Sequence, residues 1–143
     1  MLEVSTGLGL GARLALLEVS TGLEASVEDP VRDLAPSIHR QRLVVEGCVA
    51  SSISAEDIIR YLKELGEVTQ MRVLTEPVTH ESPMYGWAGW VHWETSGAHF
   101  YAWEQPRLFF SVDVYTCKAF DVDTAVAFTR DFFSAGPVVA KSF

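Results

Sequence analysis

The sequence predicts a single α+β domain in which an antiparallel sheet carries helices packed on one face. Three segments rich in aromatic and β-branched residues follow one another with short connections between residues 85 and 117, which indicates antiparallel neighbours. Amphipathic segments at 54–65 and 121–133 flank them, so that the predicted order is β-α-β-β-β-β-α-β. Hydrophobic residues make up 48% of the 143 residues, which is enough for one core.

The first half of this domain begins with a strand and a capped helix. The run Arg42–Val49 is apolar and β-branched, as is typical of a strand. Ser54 and Asp57 have the spacing of a capping box, in which each side chain bonds the backbone N–H of the other residue. The apolar side of the helix consists of Ile58, Ile59, Leu62 and Leu65. We expect Gly66 to end the helix, and a second strand to follow over Val68–Leu74.

Four more strands and a second helix complete the domain. After a turn at His80–Pro83, strands are predicted over Tyr85–Glu94, Ser96–Trp103 and Arg107–Cys117. Strand alternation places Phe109, Ser111, Asp113, Tyr115 and Cys117 on one face of the last of these. Asp121 or Asp123 caps the second helix, which we expect to end at Gly136–Pro137, before a last strand at 138–140.

The first forty residues differ from the rest. Residues 2–8 read LEVSTGL, residues 17–23 repeat these seven letters, and an acidic stretch with prolines follows. Two copies are too few for a repeat architecture, and the segment has too few basic residues for a signal peptide. We therefore expect residues 1–40 to be a mobile extension and residues 41–143 to form the functional domain.

Composition restricts the possible function. A net charge of −8 argues against a nucleic-acid surface. The chain has no apolar run of the ~20 residues that a membrane span needs. Two cysteines, Cys48 and Cys117, are too few for a disulfide scaffold, so we expect free thiols and a cytoplasmic protein. His80 and His92 lack the spacing of metal ligands, and no metal site is predicted.

The motifs that indicate chemistry lie in the predicted central strands. Residues 94–104 read ETSGAHFYAWE, and the following strand contains SVDVYTC at 111–117. These segments resemble E-S-H-x-x-x-H-T-W-P-E and A-V-D-[IL]-F-T-C-G of the bacterial S-adenosylmethionine decarboxylases, and Ser96 and Trp103 are seven residues apart as in that family. Residues 43–46 and 85–89 resemble upstream strands of the same family, so that the resemblance extends over residues 41–143.

The resemblance implies the S-adenosylmethionine decarboxylase fold and a pyruvoyl-dependent enzyme of polyamine (spermidine) biosynthesis. In that family the serine hydroxyl attacks the preceding peptide bond, and elimination from the resulting ester cleaves the chain. The pyruvoyl group left at the new N-terminus accepts electrons as CO₂ leaves the substrate. By this resemblance the chain is cut at Thr95–Ser96, Ser96 becomes the pyruvoyl cofactor, and Cys117 is the proton donor. The residues implied to bind S-adenosylmethionine are Glu46, Trp103 and Asp113.

Four of the departures from the family pattern fall at sensitive positions. Thr95 replaces the glutamate before the serine, and Gly97 replaces the first histidine. Tyr101 takes the place of the second histidine, which assists self-processing in the family, and Lys118 that of the glycine. With a reference pKa near ~10, tyrosine is a poor base at neutral pH. His99 shares the strand face of Tyr101 one pleat away, so both are counted as catalytic candidates.

Two alternatives to an active decarboxylase stay open. One is a non-processing relative that binds S-adenosylmethionine or a similar cation, or regulates an active homologue. The other is a small binding or assembly module without a ligand. We also expect a homodimer, because both faces of the strand at 85–93 are apolar and such a strand is covered or forms an interface.

Overall fold

The order of helices and strands in the structure, a computed structural model that describes residues 33–143, is the predicted one. The elements are β1 (Gln41–Cys48), α1 (Ala55–Val68), β2 (Val78–Ser82), β3 (Gly86–Trp93), β4 (Ser96–Trp103), β5 (Phe109–Thr116), α2 (Val122–Phe132) and β6 (Val138–Ser142). All six strands form one sheet in the order β2-β3-β4-β5-β1-β6, with every neighbouring pair antiparallel. The predicted α+β fold with an antiparallel sheet is confirmed.

The sheet has a buried face and an open face. Alternate side chains of its central strands join the core beneath the helices, among them Leu43, Val45, Phe100, Val112 and Val114. The side chains between them point the other way and remain accessible, with Trp90 40%, Tyr101 41% and Tyr115 47% exposed. We refer to this second side as the open face. Helices therefore lie on one side of the sheet, as the period-2 patterns predicted.

Both helices begin at caps that the sequence indicated. Ser54 Oγ accepts a hydrogen bond from the N–H of Asp57, and the Asp57 carboxylate accepts one from the N–H of Ser54. Of the two candidate caps for α2, Asp121 is the one used, since its carboxylate accepts from the N–H of Thr124 at 2.6 Å. Hydrogen bonding by the side chain of Thr124, together with this backbone hydrogen bond, lowers the pKa of Asp121, because both favour the ionised carboxylate.

The prediction that Gly66 ends α1 is wrong. The helix continues to Val68, and the left-handed conformation that often follows a helix is taken by Gln70 at φ 57°. Gly66 is buried where the helix meets its neighbours: a Cβ there would lie 3.0 Å from Val73 Cγ2 and 3.2 Å from Trp93 Nε1. This glycine therefore permits close packing inside the helix and does not terminate it.

The second strand lies later than predicted. Residues 68–74 contain the end of α1 and a turn, and of them Val73 makes an isolated bridge to Trp93. The strand β2 instead begins at Val78 and ends at Ser82, where the sequence had indicated a turn at His80–Pro83. Since β2 is an edge strand and largely exposed, it lacks the apolar alternation by which strands are recognised.

The remaining boundaries concern the two ends of the domain. Helix α2 ends at Phe132, earlier than the predicted Gly136–Pro137, and Ser134 adopts φ 46° just after it. The extension predicted over residues 1–40 lies outside the described residues except for 33–40. From Ala35 to Phe143 the chain forms one compact unit. Within residues 33–143, none of the helices is both long and apolar enough to cross a membrane.

Candidate active site

The predicted cleavage point lies in the hairpin between β3 and β4. Its turn consists of Glu94 and Thr95 alone, and Ser96 is the first residue of β4. On its other side Ser96 pairs with Thr116, the last residue of β5, and Cys117 follows directly. The hairpin turn and the end of β5 therefore lie side by side at one end of the sheet.

The backbone of Cys117 holds the carbonyl group of the predicted scissile peptide. Its N–H donates a hydrogen bond to the carbonyl oxygen of Thr95 at 2.9 Å. That oxygen belongs to the peptide bond between Thr95 and Ser96, and the two side-chain hydroxyls of these residues lie 3.4 Å apart. A donor fixed on a carbonyl oxygen stabilises the negative charge that develops there when a nucleophile adds.

An open cleft of about 780 Å³ lies beside these strand ends. It is lined by Ser96 and Cys117, together with His99 and Asp113, and its size is that of a small-molecule site. Strand alternation groups Ser96 with Ala98 on the helix side, and Cys117 with Asp113 on the open face. Their side chains therefore leave the sheet on opposite sides, although both residues border the cleft.

Among the lining residues that were not predicted as site residues, three carry rings. They are Trp90, His92 and Tyr115. His92 and Tyr115 are the cross-strand neighbours of Gly97, one on each side. Because Gly97 has no side chain, the space between these two rings stays open next to Ser96. The signal that could have found His92 is the two-residue turn, which fixes the pairing register of the hairpin.

The predicted substrate contact Asp113 is engaged within the chain. Arg42 of β1 donates to it twice, from Nε to Oδ1 at 2.9 Å and from Nη2 to Oδ2. The hydrogen bonds to this carboxylate raise the pKa of Arg42. Asp113 also stands opposite His99 in the β4–β5 register. Any substrate that approaches Asp113 therefore meets an ion pair and not a free carboxylate.

Two predicted residues of β4 lie away from the cleft. Tyr101 follows Ser96 by five residues, which corresponds to about 17 Å along a strand. Its ring packs against Tyr85 with centroids 6.1 Å apart. Trp103, two residues further on, lines a separate hollow of about 280 Å³ with Phe109 and the loop before β5.

The carboxylate of Glu46 is remote from the cleft as well. Glu46 is in register with Ser111, which precedes Cys117 by six residues, or about 20 Å of strand. It lines a small groove between β1 and β6. Within one chain, then, the predicted residues form two groups. The cleft group is Ser96, His99, Asp113 and Cys117, and the remote group is Glu46, Tyr101 and Trp103.

An antiparallel sheet with two helices on one face, and a cleft where its central strands end, defines the class: an α+β domain with a site at one end of its sheet. The family description "S-adenosylmethionine decarboxylase" matches residues 43–143, and the chain belongs to that family. The crystal structure of the adenosylmethionine decarboxylase from Aquifex aeolicus VF5 is similar, with a TM-score of 0.60 and 14% sequence identity. The similarity covers 74% of this chain and 89% of that one, and at this identity it shows a shared fold. A comparison with curated proteins gives no match. The resemblance seen in the motifs is confirmed for family and fold.

Proposed function

We propose that the chain cleaves itself between Thr95 and Ser96 and, as a cytoplasmic enzyme of polyamine (spermidine) biosynthesis, decarboxylates S-adenosylmethionine. The observation that carries this proposal is the hydrogen bond from the N–H of Cys117 to the carbonyl oxygen of Thr95. It supports addition of the Ser96 hydroxyl to that carbonyl, because the oxygen that becomes negative already has a donor. The bond from Ser96 Oγ to the carbonyl carbon replaces the peptide C–N bond, which yields an ester.

The residues around Ser96 suit the pyruvoyl group that elimination from this ester would leave. That group would supply the electron sink for the loss of CO₂. The exposed Cys117 borders the same cleft and would donate a proton to the product. Gly97 leaves the approach to position 96 free, and the accessible ring of Trp90 offers a face for the cationic sulfonium of the substrate.

A homodimer formed through the open face is part of this proposal. Tyr101 lies about 17 Å of strand from Ser96, whereas proton transfer needs a separation of about 3 Å. Trp103 and Glu46, which are predicted to bind the substrate, are also remote from the cleft of their own chain. A second copy that packs its open face on the first would bring its remote group toward the cleft. It would also cover the exposed aromatic rings of that face.

A second candidate function is binding without self-cleavage. Two observations favour it: position 97 has no imidazole, and position 101 carries a tyrosine whose ring packs on Tyr85 away from the cleft. Such a chain would hold S-adenosylmethionine or a similar cation in the cleft, or regulate an active homologue, with Ser96 intact. The two candidate functions therefore differ in whether the peptide bond between Thr95 and Ser96 is cleaved.

Intact-mass measurement under denaturing conditions tests the proposal. Self-cleavage yields fragments of 95 and 48 residues, the smaller one blocked by a pyruvoyl group. Ser96→Ala is the matched control and stays a single chain. A wild-type chain that remains whole after long incubation contradicts the decarboxylase proposal and favours binding without self-cleavage.

A further inference from the structure

The turn that follows β5 is closed by a buried hydroxyl. Thr116 Oγ1 accepts a hydrogen bond from the N–H of Lys118 at 2.8 Å and donates one to the carbonyl of Lys118 at 2.7 Å. Thr116 itself is fully buried. The two bonds restrict the backbone from Thr116 to Lys118, and Cys117 lies between them. The direction of the Cys117 N–H, which points at the Thr95 carbonyl, therefore depends on this turn.

The side chain of Lys118 attaches the turn to the end of α1. Its ammonium group donates to the carbonyl oxygen of Gln70 at 2.7 Å, across 48 positions of sequence. Gln70 lies two residues beyond the end of α1, where helical carbonyls leave partial negative charge, so a cation is favoured at this place. The next residue, Met71, is buried, and its sulfur lies 3.8 Å from Thr95 Oγ1 and 4.0 Å from Thr116 Oγ1. The segment after α1 thus contacts Thr95 at the predicted cleavage point and Thr116 on the neighbouring strand.

We propose that Lys118 is a positioning residue for self-cleavage, a role that rests on the function proposed above. By binding the Gln70 carbonyl it holds the Thr116–Lys118 turn, and the turn holds the Cys117 N–H on the carbonyl of Thr95. In the step concerned, Ser96 Oγ bonds to that carbonyl carbon, the C–N bond breaks, and the hydroxyl proton ends on the amino nitrogen of Ser96. The carbonyl oxygen is negatively charged in between and is stabilised by the positioned N–H.

This arrangement belongs to this chain, since the family motif has glycine where Lys118 stands. Glycine has no side chain to bind Gln70 and leaves the turn freer. Lys118 therefore binds the turn to the end of α1, near positions where this chain differs from the family motif.

Cleavage kinetics provide the first test. In pulse-labelled cell-free synthesis of the full chain, Lys118→Met should slow cleavage about threefold to tenfold, the range expected for loss of one ordinary hydrogen bond at an exposed position. Lys118→Arg keeps a donor and should recover most of the rate. The matched control is Lys63→Met. It removes another exposed lysine, whose ion pair with Glu76 also connects α1 to the chain that follows it. This control should cleave at the wild-type rate. Cleavage of Lys118→Met at the wild-type rate overturns the inference.

Amide exchange provides a second test that needs no cleavage. In a Ser96→Ala chain, Lys118→Met should lower the protection of the Cys117 amide severalfold and leave the Val114 amide of the same strand unchanged. In the same Ser96→Ala chain, Lys63→Met in place of Lys118→Met should leave the protection of both amides unchanged. Unchanged exchange at Cys117 overturns the attachment itself. An uncleaved wild-type chain overturns the proposed function and the catalytic part of this inference, while the exchange still decides whether Lys118 holds the turn.

Discussion

A buried pair of hydroxyls joins the two helices. The phenolic oxygen of Tyr61 in α1 lies 2.8 Å from Thr129 Oγ1 in α2, and the two residues are 0% and 1% exposed. Thr129 Oγ1 also lies 2.7 Å from the carbonyl oxygen of Ala125. A carbonyl oxygen can only accept, so the single proton of the Thr129 hydroxyl is directed to Ala125. It follows that Tyr61 donates and Thr129 accepts.

This assignment predicts unequal effects of removing either partner. Tyr61→Phe removes the donor, while the Thr129 hydroxyl keeps its bond to Ala125, so the expected cost is about 1 kcal/mol of unfolding free energy. Thr129→Val leaves the Tyr61 hydroxyl buried without an acceptor, which should cost about 1–3 kcal/mol. The double variant has no orphaned group. It should therefore be destabilised by clearly less than the sum of the two single changes.

Equilibrium unfolding in urea checks this prediction, in a Ser96→Ala background so that every chain stays whole. Burial raises the pKa of Tyr61, so the folded state favours the neutral phenol. The stability this provides is present below the unfolded pKa of about 10 and is lost as pH rises above it. Above about pH 10, the difference in unfolding free energy between the wild type and Tyr61→Phe should therefore decrease by up to about 1.4 kcal/mol per pH unit. Effects that add within about 0.5 kcal/mol would refute the hydrogen-bond assignment.

Three further predictions concern the site, the second helix and the open face. Cys117→Ala should abolish turnover yet still permit cleavage at Ser96, because the backbone donor remains; loss of cleavage would contradict this. Since Cys117 is exposed, unfolding free energy should change by less than about 0.5 kcal/mol. Because the pKa of Asp121 is lowered in the folded state, the ionised carboxylate stabilises the fold above about pH 4, and this stabilisation is lost below it. Stability followed by circular dichroism should therefore fall less steeply on acidification in Asp121→Asn than in the wild type. Identical acid titrations would exclude this contribution. In light scattering the wild type should be a dimer and Trp90→Glu a monomer, whereas a monomeric wild type at high concentration would contradict the open-face interface.

Local patterns predicted the elements that are governed by local physics. The capping box at Ser54 and the strand Ser96–Trp103 have the predicted positions, because cap hydrogen bonds and side-chain alternation depend on residues a few positions apart. Gly66 misled the prediction since a glycine inside a helix and one at its end look alike in sequence. Its role depends on Trp93, a residue 27 positions away that packs on it.

The same division applies to the candidate site. The motif order identified the family, and with it Ser96 and Cys117, whose strand ends the structure places together. The motif also suggested that Tyr101 and Trp103 belong to the same site, because they are close to Ser96 in the chain. A strand advances about 3.3 Å per residue, so neighbours in such a motif are separated by the length of the sheet.

By itself, then, the sequence determined the fold class, the family and the position of the predicted cleavage point, since these depend on local patterns and on motif order. Only the tertiary structure decided which of the motif residues share a cleft. It also placed the N–H of Cys117 on the carbonyl of Thr95, and the ammonium of Lys118 on that of Gln70. These contacts join residues 22 and 48 positions apart through strand register and through the packing of a helix end on the sheet, neither of which is written in any short stretch of the chain.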